Sequence, residues 1–144
     1  INDEVTVVKE YTSEGQYDGI TIFETIQIEN FYWGNREHLA IKELIEDTIE
    51  VPQFKYKTFQ EILIEVNSMY DCIAIYEHHY EDCFDLGEIQ IYDQEWLKVL
   101  TYGTKKTLSR LHKVMKRESI SRIAIDSPYQ QHIVKLHQKT APLG

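Results

Sequence analysis

Residues 88–144 decide the fold that we predict for this chain, and they read EIQIYDQEW (88–96), KVLTYGTKKTLSRLHKVMK (98–116), SISRIAI (119–125) and DSPYQQHIVKLHQKTAPLG (126–144). Alternating isoleucines predict strands over Glu88–Tyr92 and Ile120–Asp126. A basic amphipathic helix is predicted to start near Thr104, because the following apolar residues recur at helical spacing: Leu108, Leu111, Val114 and Met115. Ser127, followed by Pro128 at the first helical position, predicts the N-cap of a last helix.

The N-terminal part predicts a hairpin and a helix. Two apolar stretches, Val5–Tyr11 and Gly19–Glu29, have the residue types and alternation of paired strands, and a polar turn separates them. An aromatic knot follows at Phe31–Gly34. Asn35 is then a plausible N-cap for a first helix, which we expect to stop before Pro52, since proline restricts the residue that precedes it.

The middle of the chain supplies two further elements. Thr58 and Glu61 form a capping box and predict a second helix, whose apolar positions recur every three or four residues. The short apolar run Cys72–Tyr76 predicts a buried strand. The resulting order, ββααββαβα, predicts an α/β (α+β) domain: a mixed, largely antiparallel sheet with helices on both faces.

The composition is typical of a folded intracellular protein. With 144 residues, 42% of them hydrophobic, we expect a single domain over residues 1–144, in which residues 1–57 form the hairpin and first helix and residues 58–144 the core. No apolar run approaches the roughly 20 residues of a membrane span, and the first residues do not resemble a signal peptide. Two cysteines, Cys72 and Cys83, make no disulfide framework, so a reduced, cytoplasmic location is expected.

Charge is divided unevenly along the chain. Residues 1–97 carry 5 Lys or Arg against 22 Asp or Glu, a balance of −17, whereas residues 98–144 carry 10 against 2, a balance of +8. This asymmetry indicates an anionic partner for the C-terminal part. It is equally explained if the two parts fold against each other and neutralise their charges.

A phosphate cradle is predicted where Lys98–Gly103 leads into the basic helix, because a helix N-terminus presents free amides and a positive dipole end. This loop resembles the Gln/Arg-x-x-Gly-x-Gly/Ala loop with which GCN5-related N-acetyltransferases bind acetyl-coenzyme A. Gly103 matches its last position, whereas Lys98 and Thr101 replace the usual Gln/Arg and first Gly. Ser127–Gly144 is similar to the family ending Asn-x-x-Ala-x-x-x-Tyr-x-Lys-x-Gly-Phe, with Ser127 for the Asn. Phage-encoded acetyltransferase-like proteins often carry such degenerate loops, and the resemblance covers about residues 58–144.

The resemblance implies an acyl-coenzyme A-dependent N-acyltransferase that moves an acetyl group to an amine, or a degenerate relative that only binds the coenzyme. The implied coenzyme-binding residues are the amides and lysines of the loop: Lys98, Tyr102, Gly103, Thr104, Lys105 and Lys106. Glu88 takes the place of the general base, and His137 or Tyr129 that of the general acid. Because the sequence stops abruptly at Pro142–Gly144 without a polar tail, a further strand after it is a hypothesis. An edge-strand carboxylate, a turn glycine and a solvated basic helix face explain the same residues without any ligand.

Other interpretations rest on other residues. Cys72, His78, His79 and Cys83 carry thiol and imidazole groups, but their spacing matches no usual zinc knuckle, so no metal is predicted. The basic helix, which lacks any acid from Lys105 to Arg117, suits nucleic-acid phosphates, although a net charge of −9 opposes polyanion binding. A further hypothesis is a small acidic inhibitor, immunity or anti-defence protein, whose residues 1–97 meet a basic surface on a target protein.

Overall fold

A computed structural model describes residues 4–103 and 109–140 of the chain, and it shows a seven-stranded sheet with α-helices against it. The strands are β1 (Val5–Tyr11), β2 (Tyr17–Glu24), β3 (Ile73–Glu77), β4 (Phe84–Tyr92), β5 (Trp96–Thr101), β6 (His112–Lys116) and β7 (Ile120–Ile125). The helices are α1 (Arg36–Leu44), α2 (Phe59–Met69) and α3 (Pro128–Thr140), and 3₁₀ turns lie at Thr25–Gln27 and Arg117–Ser119. None of the helices in the described ranges combines the length and the apolar character that crossing a bilayer requires.

The strands are arranged in the order β1-β2-β7-β3-β4-β5-β6, and every neighbouring pair of described strands is antiparallel. β7 joins the N-terminal hairpin to the rest of the sheet, because Ile123 pairs with Ile22 of β2 on one side and with Ile75 of β3 on the other. The predicted fold class, a largely antiparallel sheet with helices, is confirmed. The finer likeness to the acetyltransferase fold remains a prediction.

Helix α2 covers one face of the sheet. Its apolar stripe of Phe59, Ile62, Leu63 and Val66 is buried against inward-facing residues of the strands. The helix begins where the capping box predicts, because Thr58 Oγ1 accepts a hydrogen bond from the Glu61 N–H at 3.3 Å and donates one to Glu61 Oε1 at 2.7 Å. This layer contains the larger of the two apolar clusters.

Helix α3 covers the opposite face. Alternation along β3 directs Ile73 and Ile75 toward α2, and directs Ala74 toward Ile133 of α3, beside Leu86. The helix begins after Ser127, as predicted, and Ser127 Oγ accepts from the Gln130 N–H at 3.1 Å. Helices therefore lie on both faces, although α1 lies outside these layers and buries no side chain.

The structure corrects the third predicted helix. Lys98–Gly103 was predicted to be a loop, but residues 96–101 form β5, and residues 112–116 form β6 instead of a helix. The start predicted near Thr104 lies outside the described residues. The physical reason is visible in β6: Met115 is buried while His112, Val114 and Lys116 are exposed, a period of two that pairing with β5 stabilises and that outweighs the apolar spacing of a helix.

Two boundaries also differ from the prediction. Strand β2 ends at Glu24 and not at Glu29, because a 3₁₀ turn follows and Ile26 points into solvent. Helix α1 begins after its predicted cap Asn35, whose Oδ1 accepts from the His38 N–H at 2.8 Å, but it ends at Leu44, well before Pro52. Without a buried face, tertiary packing does not extend this helix.

Candidate protein-binding surface

Two residues of the predicted coenzyme loop, Tyr102 and Gly103, lie close to the predicted general base Glu88 and general acid His137, beside Arg110. The guanidinium of Arg110 contacts Glu88 Oε1 at 3.2 Å and lies 4.0 Å from the centroid of the Tyr102 ring. The Tyr102 ring meets the His137 ring edge to face, with centroids 4.9 Å apart. His137 Nε2 lies 3.4 Å from the Gly103 carbonyl oxygen. The middle of β4, the end of β5 and the last part of α3 thus converge at one corner of the domain.

This corner is held together by contacts within the protein. Arg110 also donates to the carbonyl oxygens of Thr101 and Leu100, at 3.2 and 3.4 Å, and so fastens the β5–β6 connection to the sheet. The Tyr102 N–H donates to the Leu86 carbonyl oxygen at 2.6 Å, so this amide, which the coenzyme hypothesis reserved for pyrophosphate, already has a partner. Burial raises the pKa of the Tyr102 hydroxyl, while the nearby Arg110 opposes that shift. Arg110 and Tyr102 therefore stabilise the fold at this corner through contacts within the protein.

The other residues of the predicted site are not part of this corner in the described chain. Lys98 lies on β5, where it pairs with Ile91 and Val114. Tyr129 lies in the first turn of α3 and is partly exposed. The residues of the loop that carried most of the expected coenzyme contacts, Thr104, Lys105 and Lys106, lie outside the described residues. The predicted basic helix face is absent from residues 109–116, because Lys113 and Lys116 differ by an odd number of strand positions and project to opposite sides.

The two cysteines lie in different environments. Cys72 is buried beside Ala74 and Leu86, and this burial raises the pKa of its thiol to about 12. Cys83 is exposed on the β3–β4 connection. Over residues 4–103 and 109–140, no group of three or more His, Cys, Asp and Glu side chains is placed to hold a metal ion.

Two grooves beside the sheet contain a charged side chain that is already bonded within the protein. A groove of about 510 Å³ contains Arg122, whose guanidinium carbon lies 4.1 Å from the Tyr76 ring centroid and whose Nη2 donates to the Glu81 carbonyl oxygen at 3.3 Å. A second, of about 300 Å³, contains Asp126, which has a φ of 62°. Its carboxylate accepts from the Tyr17 hydroxyl at 3.0 Å; burial and this hydrogen bond raise the pKa of Tyr17. In both grooves the charged side chain makes contacts within the protein that stabilise the fold.

The most unusual feature of the molecule is the arm, which we define as Thr25–Val51. None of the residues 25–58 is buried, although all of them are described. Phe31, Tyr32 and Trp33 lie in a row and are 58, 80 and 83% exposed. Large aromatic side chains in a contiguous exposed group are rare on monomeric proteins and mark interaction sites.

The arm is attached to the sheet near both of its ends. At its start the Thr25 N–H donates to the Glu4 carbonyl oxygen at 2.9 Å, and Thr25 Oγ1 lies 2.9 Å from Thr6 Oγ1. Near its C-terminal end Lys9 Nζ donates to the Ile49 carbonyl oxygen at 2.7 Å, and the Tyr11 hydroxyl donates to Asp47 Oδ1 at 3.1 Å, so this end lies beside β1. Leu44 packs on Gly15, where a Cβ would lie 2.6 Å from the Leu44 Cβ. The position has a φ of +77° and admits only glycine without strain. The aromatic row therefore lies between two attached ends of the arm, on the stretch that makes no buried contact.

The arm is also acidic. It carries two cations, Arg36 and Lys42, against six anions: Glu29, Glu37, Glu43, Glu46, Asp47 and Glu50. Sequence analysis located the aromatic residues as a knot before α1 but did not identify them as a surface. The available signal was the density of acids around three aromatics, which is unusual for a segment that must pack into a core.

Comparison of the chain with protein-family models, with curated proteins and with solved structures found no match.

Proposed function

We propose that this protein is a protein-binding module whose acidic, aromatic arm docks on a basic surface of a target protein. One observation supports this most directly: Phe31, Tyr32 and Trp33 are exposed side by side on a segment that contributes no buried residue to the fold. The acidic inhibitor hypothesis drawn from the charge of residues 1–97 is compatible with this proposal.

The aromatic row can supply the affinity. Burying a Phe, Tyr or Trp side chain removes about 150–250 Å² from water, so most of three such side chains amounts to roughly 400 Å². At about 25 cal/mol per Å², the gross gain is about 10 kcal/mol before the costs of association and ordering are subtracted. Tyr and Trp are also the residues that most often dominate measured binding energies. A pocket for these rings is therefore expected on the target.

The acids of the arm supply orientation and partner choice. Six carboxylates within 27 residues favour a surface rich in Lys and Arg and oppose an acidic one. Exposed charges act mainly on the association rate, and salt screens them beyond about 8 Å at physiological ionic strength. Binding should therefore weaken with added salt without disappearing, because the buried rings retain their contribution.

The test is photo-cross-linking at the aromatic row. A benzoylphenylalanine at Tyr32 in the full chain, expressed in its native cells, should give one dominant adduct with a basic protein. The matched control carries the same group at Tyr80, which is also an exposed tyrosine but lies on the β3–β4 connection. Adducts of equal pattern at both positions, or an acidic adduct partner at Tyr32, would contradict the proposal.

Acyl transfer remains a prediction from sequence. It depended on a helix N-terminus at Tyr102–Thr104, and the described part of that region belongs to a strand end whose Tyr102 amide is bonded to Leu86. Addition of millimolar acetyl-coenzyme A should raise the melting temperature if the hypothesis holds, and Gly103→Asp should abolish that shift.

A further inference from the structure

A second surface, the basic face, consists of Ile91, Trp96, Lys98, Val114 and Lys116. Register defines it: Lys98 pairs with Ile91 on β4 and with Val114 on β6, and Trp96 pairs with Lys116. Paired residues project to the same side of a sheet. The alternate positions of β5 and β6 are buried on the α2 side: Leu97, Val99 and Met115. The basic face therefore lies on the side opposite α2.

This face is apolar and cationic at once. Ile91 and Val114 are 62 and 60% exposed, and Trp96 is 41% exposed. Lys116 Nζ lies 5.6 Å from the centroid of the Trp96 ring, within cation–π distance. Three large apolar side chains between two lysines suit an anionic partner that brings apolar groups of its own.

We infer that the basic face binds the arm of a second copy of this chain, so that the protein self-associates through arm-to-face contacts. The inference rests on the proposed function, because the same arm makes both contacts. The arm matches the face in both respects: its six acids oppose the lysines, and its aromatic row offers rings to Ile91, Trp96 and Val114. The chain thus carries two complementary surfaces, and self-association would compete with capture of the target.

The arm of the same copy lies at the far edge of the sheet. β1 and β6 are the two edge strands, separated by five others, which places them roughly 29 Å apart at about 4.8 Å per strand. Lys9 and Tyr11 hold the arm at the β1 edge. The contact therefore joins separate copies, and two reciprocal contacts would close a dimer.

Nucleic acid fits this face less well. Single strands bind through aromatic platforms on which bases stack, and the face offers one ring, Trp96, beside two aliphatic side chains. The net charge of −9 opposes a polyanion and a second copy alike, so the number of stacking rings is what distinguishes the two partners.

Sedimentation equilibrium of the full chain, at low and high salt over micromolar to submillimolar concentrations, tests the inference. At low salt the mass should rise with concentration above the 17.1 kDa of one chain, and high salt should reduce association. Lys98→Glu with Lys116→Glu should lower the association constant about tenfold or more. The matched control, Lys135→Glu with Lys139→Glu on exposed positions of α3, makes the same change in net charge and should leave it nearly unchanged.

Mixing variants identifies the contact itself. A copy with serines at Phe31–Trp33 retains the face, and the double glutamate variant retains the arm, so an equimolar mixture should associate more strongly than either variant does alone. Failure of the mixture to recover, a monomer at every concentration, or oligo(dT) binding in place of self-association would overturn the inference. The proposed function is tested separately in the double glutamate variant, whose arm is intact. Cross-linking from Tyr32 to a basic target must persist in that variant, and its loss would contradict the proposed function without bearing on self-association.

Discussion

Gln130→Ala should remove the main polar link between α3 and the sheet. The Gln130 side chain is almost fully buried. Its Nε2 donates to the carbonyl oxygens of Ala124 at 2.9 Å and Cys72 at 3.3 Å, and its Oε1 accepts from the Ser127 N–H at 3.1 Å. One side chain thus joins β7, the start of β3 and the first turn of its own helix.

The expected loss follows from these three hydrogen bonds. A typical intramolecular hydrogen bond contributes about 1 kcal/mol net, and a buried group left without a partner costs about 1–3 kcal/mol. Truncation to alanine therefore lowers the free energy of unfolding by about 3 kcal/mol. For a chain of 144 residues, about 3 °C per kcal/mol places the loss in melting temperature near 9 °C.

Urea denaturation followed by circular dichroism measures this difference. Gln131→Ala is the matched control, because Gln131 is the adjacent residue of α3 and its exposed Nε2 bonds only with Asp126 among the described contacts. Its loss should not exceed about 0.5 kcal/mol. Equal losses in the two variants would refute the reasoning, since they would mean that burial at Gln130 does not determine how α3 is attached.

Three further outcomes are expected. Ellman's reagent at pH 8 should titrate one thiol, Cys83, in the folded protein and two in urea. Burial raises the pKa of the Cys72 thiol to about 12. The free energy of unfolding should therefore be fully retained below about pH 8.5 and fall above it by up to about 1.4 kcal/mol per pH unit. Serines at Phe31–Trp33 should change the free energy of unfolding by less than about 0.5 kcal/mol, whereas Leu63→Ala should cost about 2–5 kcal/mol, and a large effect of the serines would show that the arm belongs to the core. Lys113→Met, which breaks half-exposed ion pairs to Glu77 and Asp85, should cost about 1 kcal/mol at low salt and less at high salt.

The corner around Arg110 shows how far sequence reasoning reached into the candidate site. Tyr102 and Gly103 were predicted as loop residues and Glu88 and His137 as catalytic residues from the family resemblance, and the structure brings all four within a few contacts of one another. Arg110, which contacts Glu88 and Tyr102, was assigned to the face of a basic helix. Its role follows from the β5–β6 pairing, which no local pattern around Arg110 encodes.

Features that depend only on neighbouring residues, the helix caps and the apolar stripe of α2, were predicted correctly from the sequence. The caps at Asn35, Thr58 and Ser127 were correct because each is a hydrogen bond between residues three apart, and the apolar stripe of α2 was correct because helical spacing is a property of eleven adjacent residues. The order of the strands could not be predicted, because it depends on partners distant in the chain. For the same reason residues 112–116 form a strand where a helix was predicted.

Exposure, too, was decided by tertiary structure. The sequence shows three aromatics at Phe31–Trp33 and three apolar residues at Ile91, Trp96 and Val114, but the same residue types occupy the core elsewhere in the chain. Only the packing of α2 and α3 determines which apolar side chains are covered, since the hydrophobic effect has no direction and any close neighbour satisfies it. The sequence alone gives the numbers of acidic and basic residues. The fold decides that the acids of the arm and the lysines of the basic face each surround exposed apolar side chains.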